Sequence, residues 1–154
     1  NYTAQIFEGT YTAEGIIAIA DALKGNSSLT ECNVRFNRLD KESATVLATV
    51  ATEKRVMLFG IKHGQKEANI SSDEGLGLAD AILIANDLTV SSSLTSISLA
   101  ENDLDAEAAK ALAPAVASSS SLTELRVQFN RLGDDGKEAL QDAVRSKEGF
   151  QLLV

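Results

Sequence analysis

With 154 residues, a formal net charge of −8 and a single cysteine, the chain fits one domain of ordinary size. Its acidity repels phosphate backbones and argues against a nucleic-acid partner, and no apolar run approaches the ~20 residues that a membrane span needs. The lone Cys32 excludes an internal disulfide framework and suits a reducing compartment, so an intracellular, cytoplasmic setting is expected.

Internal repeats decide the architecture. "SSLTECNVRFNRLDKES" (27–43) is nearly restated as "SSLTELRVQFNRLGDDG" (120–136). Aligning on the Leu of "SLT" exposes a smaller period of about 28 residues. It divides one domain, 1–154, into five units at 1–28, 29–55, 56–93, 94–121 and 122–149, with the start of a sixth strand at 150–154.

In the first unit Asn1, Ala4, Ile6, Gly9 and Tyr11 fill the repeat only loosely, and Ile19, Ala22 and Leu23 give the i, i+3, i+4 stripe of a helix. The second has the full pattern L-x-x-L-x-L-x-x-N-x-L in Leu29, Cys32, Val34, Asn37 and Leu39. Alternation at positions four and six predicts a strand. The Asn suits a tight turn leaving that strand, where its side chain bonds the backbone and forms a ladder with its copies. Asp40 stands where a carboxylate caps a helix, and Leu47, Val50 and Ala51 form the buried stripe.

The third unit puts Val56, Phe59 and Ile61 on the strand, has no clear Asn, and is about ten residues longer, with about four extra in 62–69 and about six in 83–93. Its helix, led by Asp73 with Leu78, Ala81 and Ile82 as stripe, is weakened by Gly75 and Gly77. The fourth unit is regular: Leu94, Ile97, Leu99, Asn102 and Leu104, then Asp105, Leu112, Ala115 and Val116, with Pro114 expected to shorten or bend the helix. The fifth repeats it in Leu122, Leu125, Val127, Asn130 and Leu132, then Asp134, Leu140, Ala143 and Val144. Phe150 takes the first column of the sixth strand. Small residues Ala18, Gly77, Ala111 and Ala139 precede the stripe, where each helix is expected to lie close to the sheet.

This pattern, with "AEGIIAIADALKGNSSL" (13–29) and "AEAAKALAPAVASSSSL" (106–122), resembles the leucine-rich repeat proteins of the ribonuclease-inhibitor-like subtype, found in NOD-like receptors and the Ran GTPase-activating protein. The resemblance implies an α/β, right-handed solenoid with parallel strands on the concave face and α-helices on the convex face. The chain opens "NYTAQIF", as a processed chain or excised piece would. The apolar edge at Phe150, Leu152 and Leu153 is expected to be covered by a parent protein, a partner or self-association.

Chemistry-bearing motifs are sparse. "NDLDAE" (102–107) lacks the glycine turn and terminal Glu of a calcium loop, and "GLGLAD" (75–80) lacks the third Gly of a dinucleotide fingerprint. Cys32 sits at a core position as a buried, inert thiol, and one His gives no triad or zinc cluster. No catalytic residue, cofactor or metal is expected. The sequons at Asn1, Asn26 and Asn69 are weak evidence for secretion.

The strand face is more informative. Positions two, three, five, seven and eight point away from the core. They carry Tyr2, Gln5, Phe7 and Glu8; Asn33, Arg35 and Phe36; Met57, Leu58, Lys62 and His63; Ser96, Ser98, Ala100 and Glu101; and Glu124, Arg126, Gln128 and Phe129. Arginine and aromatic residues there favour protein contact at Arg35, Phe36, Lys62, His63, Glu101, Arg126, Gln128 and Phe129. Alternatively, Phe36 and Phe129 pack along the turn edge, and Arg35 and Arg126 pair with Glu31 and Glu124. A positive arc on an acidic protein would orient an acidic ligand. The expected role is a non-catalytic protein–protein interaction module or a structural subunit of a larger assembly, its protein partner unnamed. The alternative is a GTPase-activating regulator resembling the Ran regulator.

Overall fold

The computed structural model describes residues 13–71 and 75–154; the strand expected in unit one and the cap expected at Asp73 lie outside them. In chain order the elements are α1 (Ala13–Gly25), α2 (Lys41–Lys54), β1 (Glu67–Asn69), α3 (Leu78–Val90), β2 (Ser96–Ser98), α4 (Ala106–Ser118), β3 (Glu124–Arg126), α5 (Gly133–Val144) and β4 (Gln151–Leu153). The strands form one parallel sheet in the order β1-β2-β3-β4. Each helix packs on the next, α1 on α2 through to α4 on α5. The architecture is an α/β leucine-rich repeat solenoid, strands on one side and helices on the other.

Where the sequence keeps its period, the elements follow it. Ile97 pairs with Leu125, and both point inward with Leu99, Leu94, Leu122 and Val127. Leu47, Leu112 and Leu140 are fully buried on their helices, with Ala51 and Val116 beside the first two. Asp40 accepts the Ser43 N–H at 2.8 Å and Asp105 that of Ala108 at 2.8 Å, each capping its helix. Pro114 does not shorten α4, which runs 13 residues like α3. It lies on the exposed side of the helix, where its missing N–H leaves no buried carbonyl without a donor.

Several expectations need correction. In α1 the inward residues are Ile16, Ala20 and Leu23, whereas Ile19 and Ala22 are exposed. In α4 and α5 the buried small residues stand about one turn earlier than expected, at Ala108, Ala109 and Gly136, and in α3 the buried one is Ala81, one turn after Gly77. At Gly136 an added Cβ would lie 3.0 Å from the Ala106 Cα and 3.1 Å from the Ala109 Cβ, so glycine sets the α4–α5 spacing rather than a helix–sheet spacing. Gly75 and Gly77 are outside α3: Gly75 turns at φ 68, and the Gly77 N–H donates to Asp80 Oδ2 at 3.0 Å at the helix start. In β4, Leu152 rather than Leu153 pairs with Leu125, so Phe150 misses the first column by one residue.

The third unit differs most. Residues 83–90 are helix, not loop. Ile84 stands 28 residues before Leu112, so α3 is in period with α4 and the extra length all precedes it. After α2 the chain starts a strand-like pass beside unit two, with Met57 pairing Glu31, and Cys32 N–H donating to Met57 O at 2.7 Å. It then turns back at Gly60 and Gly64 and passes again as β1, which pairs with β2. Val56, Met57, Leu58, Phe59 and Ile61 are all buried, so Met57 and Leu58 do not belong to the open face.

Burying such irregular backbone needs hydrogen-bond partners. Asp87 supplies them. It occupies the α3 place corresponding to Ala115, and accepts the N–H groups of Leu58 (2.6 Å), Phe59 (3.0 Å) and Ile61 (3.4 Å). Asn86 adds a bond to Val56 O at 3.0 Å and accepts from Thr52 Oγ1 at 2.9 Å.

Candidate functional site

The face opposite the helices is shaped by the turn that follows each strand. Asn102 Nδ2 donates to Leu99 O (3.1 Å), Ala100 O (3.2 Å) and, in the preceding unit, Ile70 O (2.9 Å). Asn130 repeats this with Val127 O and Leu99 O, both at 2.9 Å, and its Oδ1 accepts the Leu104 N–H at 3.0 Å. Asn37 bonds Val34 O and Arg35 O in its own turn. This grip forces the residue before each Asn into the left-handed region: Phe36 at φ 65, Glu101 at φ 58 and Phe129 at φ 59. Their side chains are thereby thrown outward. Phe36 is 65% exposed and Phe129 79%, so neither packs along the turn edge.

Across β1, β2 and β3 lies an open groove of about 610 Å³. Glu101, Arg126, Gln128 and Phe129 line it together with Glu67 and Glu124, whereas Ser96, Ser98 and Ala100 are half-buried or buried along its floor. The charge is opposite to that expected. Arg126 Nε donates to Glu124 Oε1 at 2.6 Å, Ser96 Oγ donates to Glu124 Oε2 at 2.9 Å, and these bonds, Arg126 first, hold the Glu124 carboxyl below the ordinary range. Three carboxylates therefore face one guanidinium that is already engaged. Gln128 Oε1 is shielded from solvent with no hydrogen-bond partner.

Arg35 and Phe36 belong to a separate hollow of about 400 Å³ between units two and three, with Arg38, Phe59 and Asp80. The Arg35 guanidinium stacks against Phe36 and Phe59, 4.6 and 4.8 Å from their ring centroids, rather than pairing with Glu31. Lys62 and His63 join neither cavity. They are exposed on the turn between the two passes of unit three, where His63 Nε2 lies 3.3 Å from Thr30 O, next to the bridge residue Glu31; unit two forms only this bridge and not the expected strand. Phe129 follows the C-terminal end of β3, and Phe36 stands in the matching turn of unit two.

Arg35 is stacked on two rings and Arg126 is bound to Glu124. Cys32 is half-buried and burial pushes its thiol pKa up, away from the nucleophilic form. Among the described residues no group of three or more His, Cys, Asp or Glu is placed to hold a metal ion. Among them, too, no helix is long and apolar enough to cross a membrane. Reading the sequence missed Asn86 and Asp87; two adjacent polar residues inside an apolar helix stripe were the available signal.

Residues 90–113 and 118–140 match the family model described as Leucine Rich repeat. No curated protein matches the sequence. Among solved structures, the leiomodin-1 Actin-Binding Site 2 is similar with a TM-score of 0.50 and 15% identity, covering 94% of this chain and 79% of that one. A tropomodulin C-terminal domain from Caenorhabditis elegans gives a TM-score of 0.48 and 16% identity over 90% of this chain and 81% of that one. At such identities the likeness concerns the fold alone. The two matched segments are the units built on β2 and β3, and the chain carries leucine-rich repeats.

Proposed function

We propose that this chain is a non-catalytic protein–protein interaction module, working alone or as a structural subunit of a larger intracellular assembly, and that it binds through its strand face. The observation that carries this reading is the groove across β1–β3, framed by Arg126, Gln128 and Glu101 and overhung by an exposed Phe129. Aromatic and arginine side chains around a concave surface are what protein hot spots favour. Arg35 and Phe36 extend the surface toward unit two, and a partner that also meets Lys62 and His63 spans the strands from end to end. An α-helix in each described unit supports assignment to the ribonuclease-inhibitor-like subtype.

Affinity capture with variants tests the reading. A protein captured by the wild-type chain should be lost with Phe129→Ala plus Gln128→Ala, and kept with the helix-surface pair Lys137→Glu plus Glu138→Lys, thermal midpoints staying close. Actin, which the leiomodin-1 segment carries in its name, belongs among the candidates. Loss of the partner only on changing the helices would refute the strand-face reading.

A further inference from the structure

We propose that the strand-face groove takes an extended, basic segment of a partner protein, held by Glu67, Glu101 and Glu124 and anchored on Phe129. This rests on the interaction-module reading and adds the partner's chemistry. A volume of about 610 Å³ suits a few side chains rather than a folded domain.

Among the described lining residues, three carboxylates oppose one guanidinium, and Arg126 is turned onto Glu124 at 2.6 Å instead of toward a ligand. Glu124 is locked in place by Ser96 at 2.9 Å, so its charge is fixed in direction before any partner arrives. The whole chain carries −8, which draws a cationic segment in at long range, while the groove supplies its seat.

Phe129 makes the second, independent case. At φ 59 an aromatic residue is strained where glycine or asparagine is not, and at 79% exposure it gains almost nothing from burial. A side chain disfavoured by both its backbone and its solvent exposure does not serve the fold. Contact with a partner explains it. An apolar side chain flanking the partner's cation would cover the ring, and the cation itself can lie over its face.

Fluorescence anisotropy with three short synthetic peptides, alternating Lys/Leu, Glu/Leu and Lys/Ser, tests this. The Lys/Leu peptide should bind best and weaken with added salt. Phe129→Gly should weaken it about tenfold or more while raising the thermal midpoint, and Glu67→Lys should weaken it comparably. Glu138→Lys, the same charge change on a helix, should alter affinity less than about twofold. Equal binding of the Glu/Leu peptide, equal loss with Glu138→Lys, no binding of any peptide, or a lowered midpoint in Phe129→Gly would each overturn the proposal. If the protein captured by the wild-type chain is nevertheless lost with Phe129→Ala plus Gln128→Ala, the strand face still binds and only the partner's basic character is wrong.

Discussion

Asp87 is a buried carboxylate: the buried residues of α2 and α4, the helices that pack on α3, are Ser43, Ala44, Leu47, Val50, Ala51, Ala108, Ala109, Leu112, Ala115 and Val116, none of them titratable. Burial pushes its pKa from 3.8 to about 6, although the N–H groups of Leu58, Phe59 and Ile61 pull the other way. Between those values the folded chain holds a proton that the unfolded chain has released. Stability therefore falls as pH rises through this window, and the loss is complete above about pH 6, at most about 3 kcal/mol. Asp40 and Glu124, whose pKa values are lowered, act oppositely, losing stability as pH falls. Urea melts from pH 4 to 7 should thus show wild type gaining on Asp87→Asn as pH falls; parallel curves would contradict the buried-charge account.

At the same scale, Asn102 is buried and binds three carbonyls, so Asn102→Ala should cost about 1–3 kcal/mol. Asn37 is exposed, water can replace it, and Asn37→Ala should cost less than about 1 kcal/mol. Similar denaturant midpoints would disprove the distinction. The ladder asparagines were legible because each copy stands at the same offset from the same leucines. Asp87 was not, because a lone sequence shows no partner for it until the backbone of residues 58–61 is seen beneath it.

Among the elements, units four and five were legible because nothing interrupts their period, whereas unit two keeps its expected helix but has only a bridge at Glu31 in place of the expected strand, with Leu29 exposed. The third unit was misread for a physical reason. Leu78, Ala81 and Ile82 satisfy i, i+3, i+4 spacing as well as the true set Ile84, Asp87 and Leu88, and a charged residue disqualifies the true set on polarity alone. Choosing the wrong stripe split one insertion into two. Gly136 tests how tightly the elements are set. Alanine there gains up to about 1 kcal/mol in helix propensity, but its Cβ meets the α4 backbone at 3.0 Å, and overpacking costs about 1–3 kcal/mol. Gly136→Ala should be net destabilising by roughly 1 kcal/mol; a raised denaturation midpoint would mean that α4 and α5 separate freely.

Over the whole molecule the period gives the fold, yet the sign of the groove is not written in it: Arg126 counts as positive in the sequence and is spent on Glu124 in the structure. The linear stacking has its own consequence. Stability in such an array is a sum of unit and nearest-neighbour terms, so damage stays local unless it strikes the middle. Leu112 is fully buried in α4, which packs on both α3 and α5, and Leu112→Ala should cost about 2–5 kcal/mol. Leu23 is nearly as buried, but among the described helices α1 packs on α2 alone. Hydrogen exchange should therefore show Leu112→Ala lowering amide protection from α3 through α5 and in β2 and β3, the strands that floor the groove. Leu23→Ala should lower it in α1, with little change beyond α2. Partner binding at the groove should weaken with the first variant and survive the second. An equal, chain-wide loss of protection in both would mean that the units unfold together and that the nearest-neighbour description fails.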